Sequence, residues 1–145
     1  MRCDRDWYAP YEIRFTQWQI IWILTVLYLL KAGNWPPGDP NDIYTQHCLQ
    51  SGGYFESAVL VAAEVEVRLD RTGDDGFIVR DKYCHNEDDR ALSRKYHLSE
   101  AEIEMRIRRV LRYMAGDARK RIAYEEWVRN GWKEKHENKL ANRCT

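Results

Sequence analysis

The sequence has no apolar run long enough to cross a bilayer. The longest, "WQIIWILTVLYLL" from Trp18 to Leu30, stops at thirteen residues and includes Gln19 and Thr25, short of the roughly 20 that a spanning helix requires. No membrane partner is expected. The N-terminus, "MRCDRDWYAPYEIRF", is charged throughout and does not show a positive start, an apolar core and a small-residue cleavage site in that order, so no signal peptide is read. Cysteine is sparse. Cys3, Cys48, Cys84 and Cys144 are scattered without a Cys-x-x-Cys, which excludes the spacing of a disulfide scaffold and fits a reduced, cytoplasmic chain. The pairs His47-Cys48 and Cys84-His85 do not read as metal ligands, because adjacent side chains diverge by about 100° on a helix and point to opposite faces of a strand. Catalytic signatures are missing as well. "SGGYFES" lacks the lysine and spacing of a phosphate-binding loop, and neither G-x-G-x-x-G nor G-x-S-x-G occurs. The carboxylates at Asp74-Asp75 and Glu87-Asp88-Asp89 read as solvated turn or helix-start charge. Neither an enzyme nor a cofactor or metal is expected.

What remains is enough for a fold. A chain of 145 residues with 44% apolar residues and six tryptophans suffices for one globular core. Trp18, Trp22, Trp35, Trp127 and Trp132 are expected in it, because no basic run is interleaved with them as a single-strand groove would need. The net charge of zero conceals an asymmetry. Residues 1–99 carry 11 Lys+Arg against 15 Asp+Glu, and residues 100–145 carry 12 against 8. Between Ile103 and Arg121 seven cations face only Glu104 and Asp117, so a polyanion would be met in the C-terminal third.

Patterning predicts an all-α chain of five or six helices. Thr16 caps an apolar helix from about Gln17 to Ala32, stopped by Gly33 and the Pro36-Pro37 that follow; being apolar nearly all round, it is expected to be buried, either in the core or in an oligomer interface, with Trp35 folding back on it. Ser57 reads as the cap of a second helix, Ala58 to Asp70, with Leu60, Val61, Val65 and Leu69 inward, Glu64, Glu66, Arg68 and Arg71 on the wet side, and Gly73 ending it. Gly76 to His85 is a helix or a strand, with the surroundings favouring helix. Asp88 and Asp89 open a short helix to Tyr96 with Ala91, Leu92 and Tyr96 inward. "HLS" makes a turn, Ser99 and Glu102 form a capping box, and a helix from Glu100 to Ala115 aligns Ile103, Ile107, Val110, Leu111 and Met114 before Gly116. A last helix starts near Tyr124. The parts are 1–73, an N-terminal helical part; 74–135, a helix-turn-helix module with the C-terminal helix; and 136–145, a frayed tail.

The helix-turn-helix carries the functional expectation. In that motif a first helix braces across the DNA backbone and the second presents its first turns to the groove, with a short turn packed between. "ALSRKYHLSEAEIEMRIRRVLRYMAG", through Ala91, Tyr96, Leu98, Ser99, Ile103 and Ile107, resembles the helix-turn-helix of sigma-factor region four and, more closely, small bacteriophage proteins that carry such a module, including late-gene transcription activators. "LYLLKAGNWPPG" and "AEVEVRLDRTGDDG" look like phage open reading frames of the same layout. That resemblance implies a DNA-binding transcriptional regulator acting on double-stranded DNA in the cytoplasm of a bacterial host. Region-four modules usually place Thr, Val, Lys or Arg where this chain has Glu100 to Glu104, so the expected contacts are phosphates, made by Arg106, Arg108, Arg109, Arg112, Arg119, Lys120 and Arg121. The alternatives are a module that binds RNA polymerase or another host protein, and a DNA-recognition subunit of a packaging motor, which would be a homo-oligomer.

Overall fold

A computed structural model describes residues 13–38, 54–115 and 122–132, the side chains of 54–57 and 130–132 excepted. Among them there is no β-strand and the chain is all-α. In order come α1 (Gln17–Thr25), α2 (Leu27–Lys31), α3 (Tyr54–Asp70), α4 (Asp74–Tyr83), α5 (Asp89–Tyr96), α6 (Glu100–Met114) and α7 (Tyr124–Glu126), which runs on into a π-helical turn (Trp127–Trp132). The described helices number seven, beyond the expected five or six, because the N-terminal helix is broken. Thr25 turns its hydroxyl back onto the Trp22 carbonyl at 2.7 Å, and Val26 leaves helical geometry at φ −113°, ψ 18°. A hydroxyl that competes for a helix carbonyl bends the backbone, and β-branched neighbours add to the crowding.

The helix ends follow from local chemistry. Thr16 accepts from the Gln19 amide at 3.1 Å while Gln19 Oε1 accepts from the Thr16 amide at 2.9 Å, a reciprocal box that satisfies two orphan donors. At the other end Gly33 takes φ 85°, the Gly33 amide donates to Leu30 and the Asn34 amide to Leu29, the paired closure that a left-handed residue allows. Trp35 does fold back, its ring 5.7 Å from that of Trp22. Ser57 is not a cap, since α3 already begins at Tyr54. Gly73, at φ 60°, is the N-cap of α4 and so starts a helix as well as following one. Gly76 is needed for space, because a Cβ there would lie 2.4 Å from Thr72 Oγ1 and 2.7 Å from the Leu69 carbonyl oxygen.

One core spans both predicted parts. α6 sits at its centre, with α1, α3, α4 and α5 packed around it, and Ile20, Ile23, Leu24, Val65, Leu69, Val79, Leu92, Ile103, Val110 and Met114 belong to a single buried cluster. Two expectations fail. Trp18 is 73% exposed, so only the inner side of the N-terminal helix is buried. On α3, Glu64 and Arg68 are not on the wet side; Arg68 is fully buried and Glu64 nearly so. The guanidinium donates to Glu64 Oε2 at 2.6 Å, to the Met114 carbonyl at 3.0 Å and to the Ile13 carbonyl at 2.7 Å, and lies 4.9 Å from the Phe15 ring centroid. One charge thereby ties α3, the end of α6 and the segment before α1, and its burial is repaid because each of its three nitrogens donates to an acceptor.

Candidate nucleic-acid interface

The motif is built as α5, a three-residue turn and α6. Asp88 caps α5 by accepting from the Ala91 amide at 2.8 Å. α5 stops because His97 adopts the left-handed region at φ 58°, ψ 43°. The Leu98 amide then donates to the Ser93 carbonyl at 3.1 Å and the Ser93 hydroxyl donates to the Leu98 carbonyl, so the turn is fastened in both directions. Leu98 packs on the core. Ser99 accepts from the Glu102 amide at 3.1 Å, half of the expected box. The return half is missing because the Glu102 carboxylate is taken by Arg106 Nε at 3.0 Å. Ala91 is exposed, which corrects its assignment as the small inward residue; Ser93, half-buried and bonded across the turn, is the small residue at this junction.

Two buried carboxylates on α4 hold this unit in place; Asp75 was legible only as turn or helix-start charge, and Asp81 carried no signal in the sequence. Asp75 accepts from Arg106 Nη1 at 3.0 Å, from Arg109 Nη2 at 3.0 Å and from the Tyr124 hydroxyl at 2.8 Å, fixing α6 and α7 to α4. Burial raises the Tyr124 phenol above its ordinary pKa, and its bond to Asp75 raises it further. Asp81 accepts from Lys95 Nζ at 2.9 Å and from the Tyr96 hydroxyl, and lies 3.1 Å from His85 Nδ1, fixing α5 to α4. Burial would raise the Asp81 pKa, but the hydrogen bonds from Tyr96, Lys95 and His85 outweigh it and hold it below the usual carboxylate range.

These contacts divide the arginines chosen from sequence. Arg106 and Arg109 turn toward Asp75, with side chains 31% and 15% exposed; their charge is met by Asp75 and Glu102. Arg112 is half-buried and already engaged. Arg108 points out, paired with Glu104 at 2.7 Å, the two side chains 70% and 55% exposed. Arg119, Lys120 and Arg121 lie outside the described residues. The outer face of α6 is Glu100, Ala101, Glu104, Met105 and Arg108; Arg112, expected from the helical period to join them, is half-buried instead. Sequence reasoning passed over two cations on α5. Arg90 and Arg94 are exposed, one turn apart on one face, and flank exposed Ala91. Their signal was present: Arg94 has no acid three or four positions away on either side, unlike Arg106 and Arg108.

Among the described residues the geometry is all-α, with a helix-turn-helix pinned by α4 and with Arg90, Arg94 and the outer face of α6 exposed. No family model, curated protein or solved structure matches the chain.

Proposed function

We propose that the chain binds double-stranded DNA through α5 and α6 and serves as a phage-type transcriptional regulator, gripping phosphates and not reading bases with the first turn of α6. The observation that carries this is the pair Arg90 and Arg94, which project from the bracing helix of a motif that Asp75 and Asp81 hold rigid from behind. Arg108 joins them, because an exposed ion pair such as Arg108–Glu104 is worth only about 0.3–0.5 kcal/mol and is readily exchanged for a phosphate. Glu100 and Glu104 oppose the approach of the first turn to a polyanion, so the grip lies on the backbone. A mobility-shift titration at two salt concentrations tests this. Binding should weaken with a log–log slope of about −0.9 per phosphate contacted, and Arg90→Ala or Arg94→Ala should each reduce that slope by about 1. Absence of binding at low salt, or binding without salt dependence, rejects the reading.

A second reading has its own observation, the exposed Glu100, Ala101, Glu104 and Met105 on the leading turns of α6, an acidic face with an apolar centre suited to RNA polymerase or another host protein. Glu100→Gln with Glu104→Gln separates the two. The double variant should strengthen DNA binding in the first reading and abolish capture of purified polymerase in the second.

A further inference from the structure

Among the described residues, the N-terminal helix pair buries one side in the core and leaves much of the other, also apolar, exposed. Gln19, Ile20, Ile23, Leu24, Leu27 and Leu30 are buried, and this 3.6-residue rhythm continues across the break at Val26. On the outward side stand Trp18, Thr25 and Tyr28, with Ile21 at its edge and also packed against the core. Trp18 is 73% and Tyr28 71% exposed, Thr25 is exposed and Ile21 half-buried. Trp18 to Thr25 and Ile21 to Tyr28 are each seven residues apart, and the alternation of three and four steps is that of a helix–helix seam. From Gln17 to Leu30 no residue is charged.

We propose that this face is a homodimer interface, on which a second copy of the chain packs its own α1 and α2 in antiparallel register, Trp18 of each against Tyr28 of the other and Ile21 against Thr25. The area suffices for a weak dimer and not for a permanent one. At their observed exposure Trp18 and Tyr28 offer roughly 300 Å² per copy, and with Ile21, Thr25 and Leu29 the two copies together bury on the order of 1,000 Å², the threshold for a specific interface. The absence of charge also favours a second copy over a charged partner, because an identical face brings no ion to be desolvated. A lipid surface fits less well, since an interfacial helix keeps a Lys- and Arg-rich side in water, and here the opposite side is core.

The test measures mass by light scattering on the full chain from micromolar to near-millimolar concentration. Wild type should rise from monomer to dimer mass. Trp18→Glu and Tyr28→Glu should each remain monomeric, and Phe77→Glu, a 58% exposed aromatic elsewhere, should dimerise as wild type does. The substituted positions are mostly solvated, so circular dichroism should be unchanged; Thr25→Arg at the seam centre provides a second disruption that removes no aromatic. A wild type that stays monomeric, a dimer that survives the Trp18→Glu and Tyr28→Glu double variant, or binding of monomer to phosphatidylcholine vesicles each overturns the proposal. Salt should leave the dimer unaffected while it weakens DNA binding, so this result and the proposed function stand or fall separately.

Discussion

Arg68 shows what a single residue can decide. Its i,i+4 pairing with Glu64 is identical in sequence terms to Glu104 with Arg108, yet one pair is buried and the other bathed in water. The difference lies in acceptors that no local pattern reveals, the carbonyls of Met114 and Ile13, 46 and 55 residues away in the chain. Truncating one member of a buried, fully bonded charge set leaves the other uncompensated and costs about 3–5 kcal/mol. Arg68→Ala should therefore lower stability by that amount in urea unfolding, whereas Arg108→Ala should change it by less than about 0.5 kcal/mol. Equal effects would contradict the buried clamp.

At the scale of elements, the legible and the illegible separate by range. Helix boundaries followed from caps and stops within four residues, as at Thr16, Asp88, Ser99 and Gly33. The inward stripe of α6 followed from its period. The role of α4 did not, because Asp75 meets residues 31, 34 and 49 positions on and Asp81 meets residues 14 and 15 positions on. The candidate site was accordingly half read: the motif and the exposed face of α6 were visible, while the inward turn of Arg106 and Arg109 depends on a carboxylate from another helix. α4 also sets an acid limit. The Asp81 carboxyl titrates below the usual carboxylate value, so the stability it contributes is complete above its unfolded pKa of about 3.9 and is lost as pH falls through the lower folded value. Asp81→Asn should be less stable than wild type by about 1.5–3 kcal/mol at pH 7, the worth of a hydrogen bond to a charged group such as that from Tyr96. The gap should close on acidification below pH about 4. A gap that persists unchanged in a melting series at pH 2 would show that the carboxylate charge is not what holds α5.

For the whole molecule, residue 73 is not a boundary in the core, which runs unbroken across it. Since α1 and α3 pack directly on α6, thermal unfolding followed by far-ultraviolet dichroism and by tryptophan fluorescence should give coincident single transitions. Two separated transitions would mean that the N-terminal helices and the helix-turn-helix fold independently. Arg68 sits at the join, and its demand for distant partners has a consequence in time. A ribosome adding about 5–20 residues per second needs roughly 2–9 s to make the 46 residues between Arg68 and Met114. For that interval the nascent α3 carries an ion among its apolar residues with the acceptor from α6 not yet made. Closure of the Arg68 clamp, and with it the final packing of α3, thus waits for the end of α6.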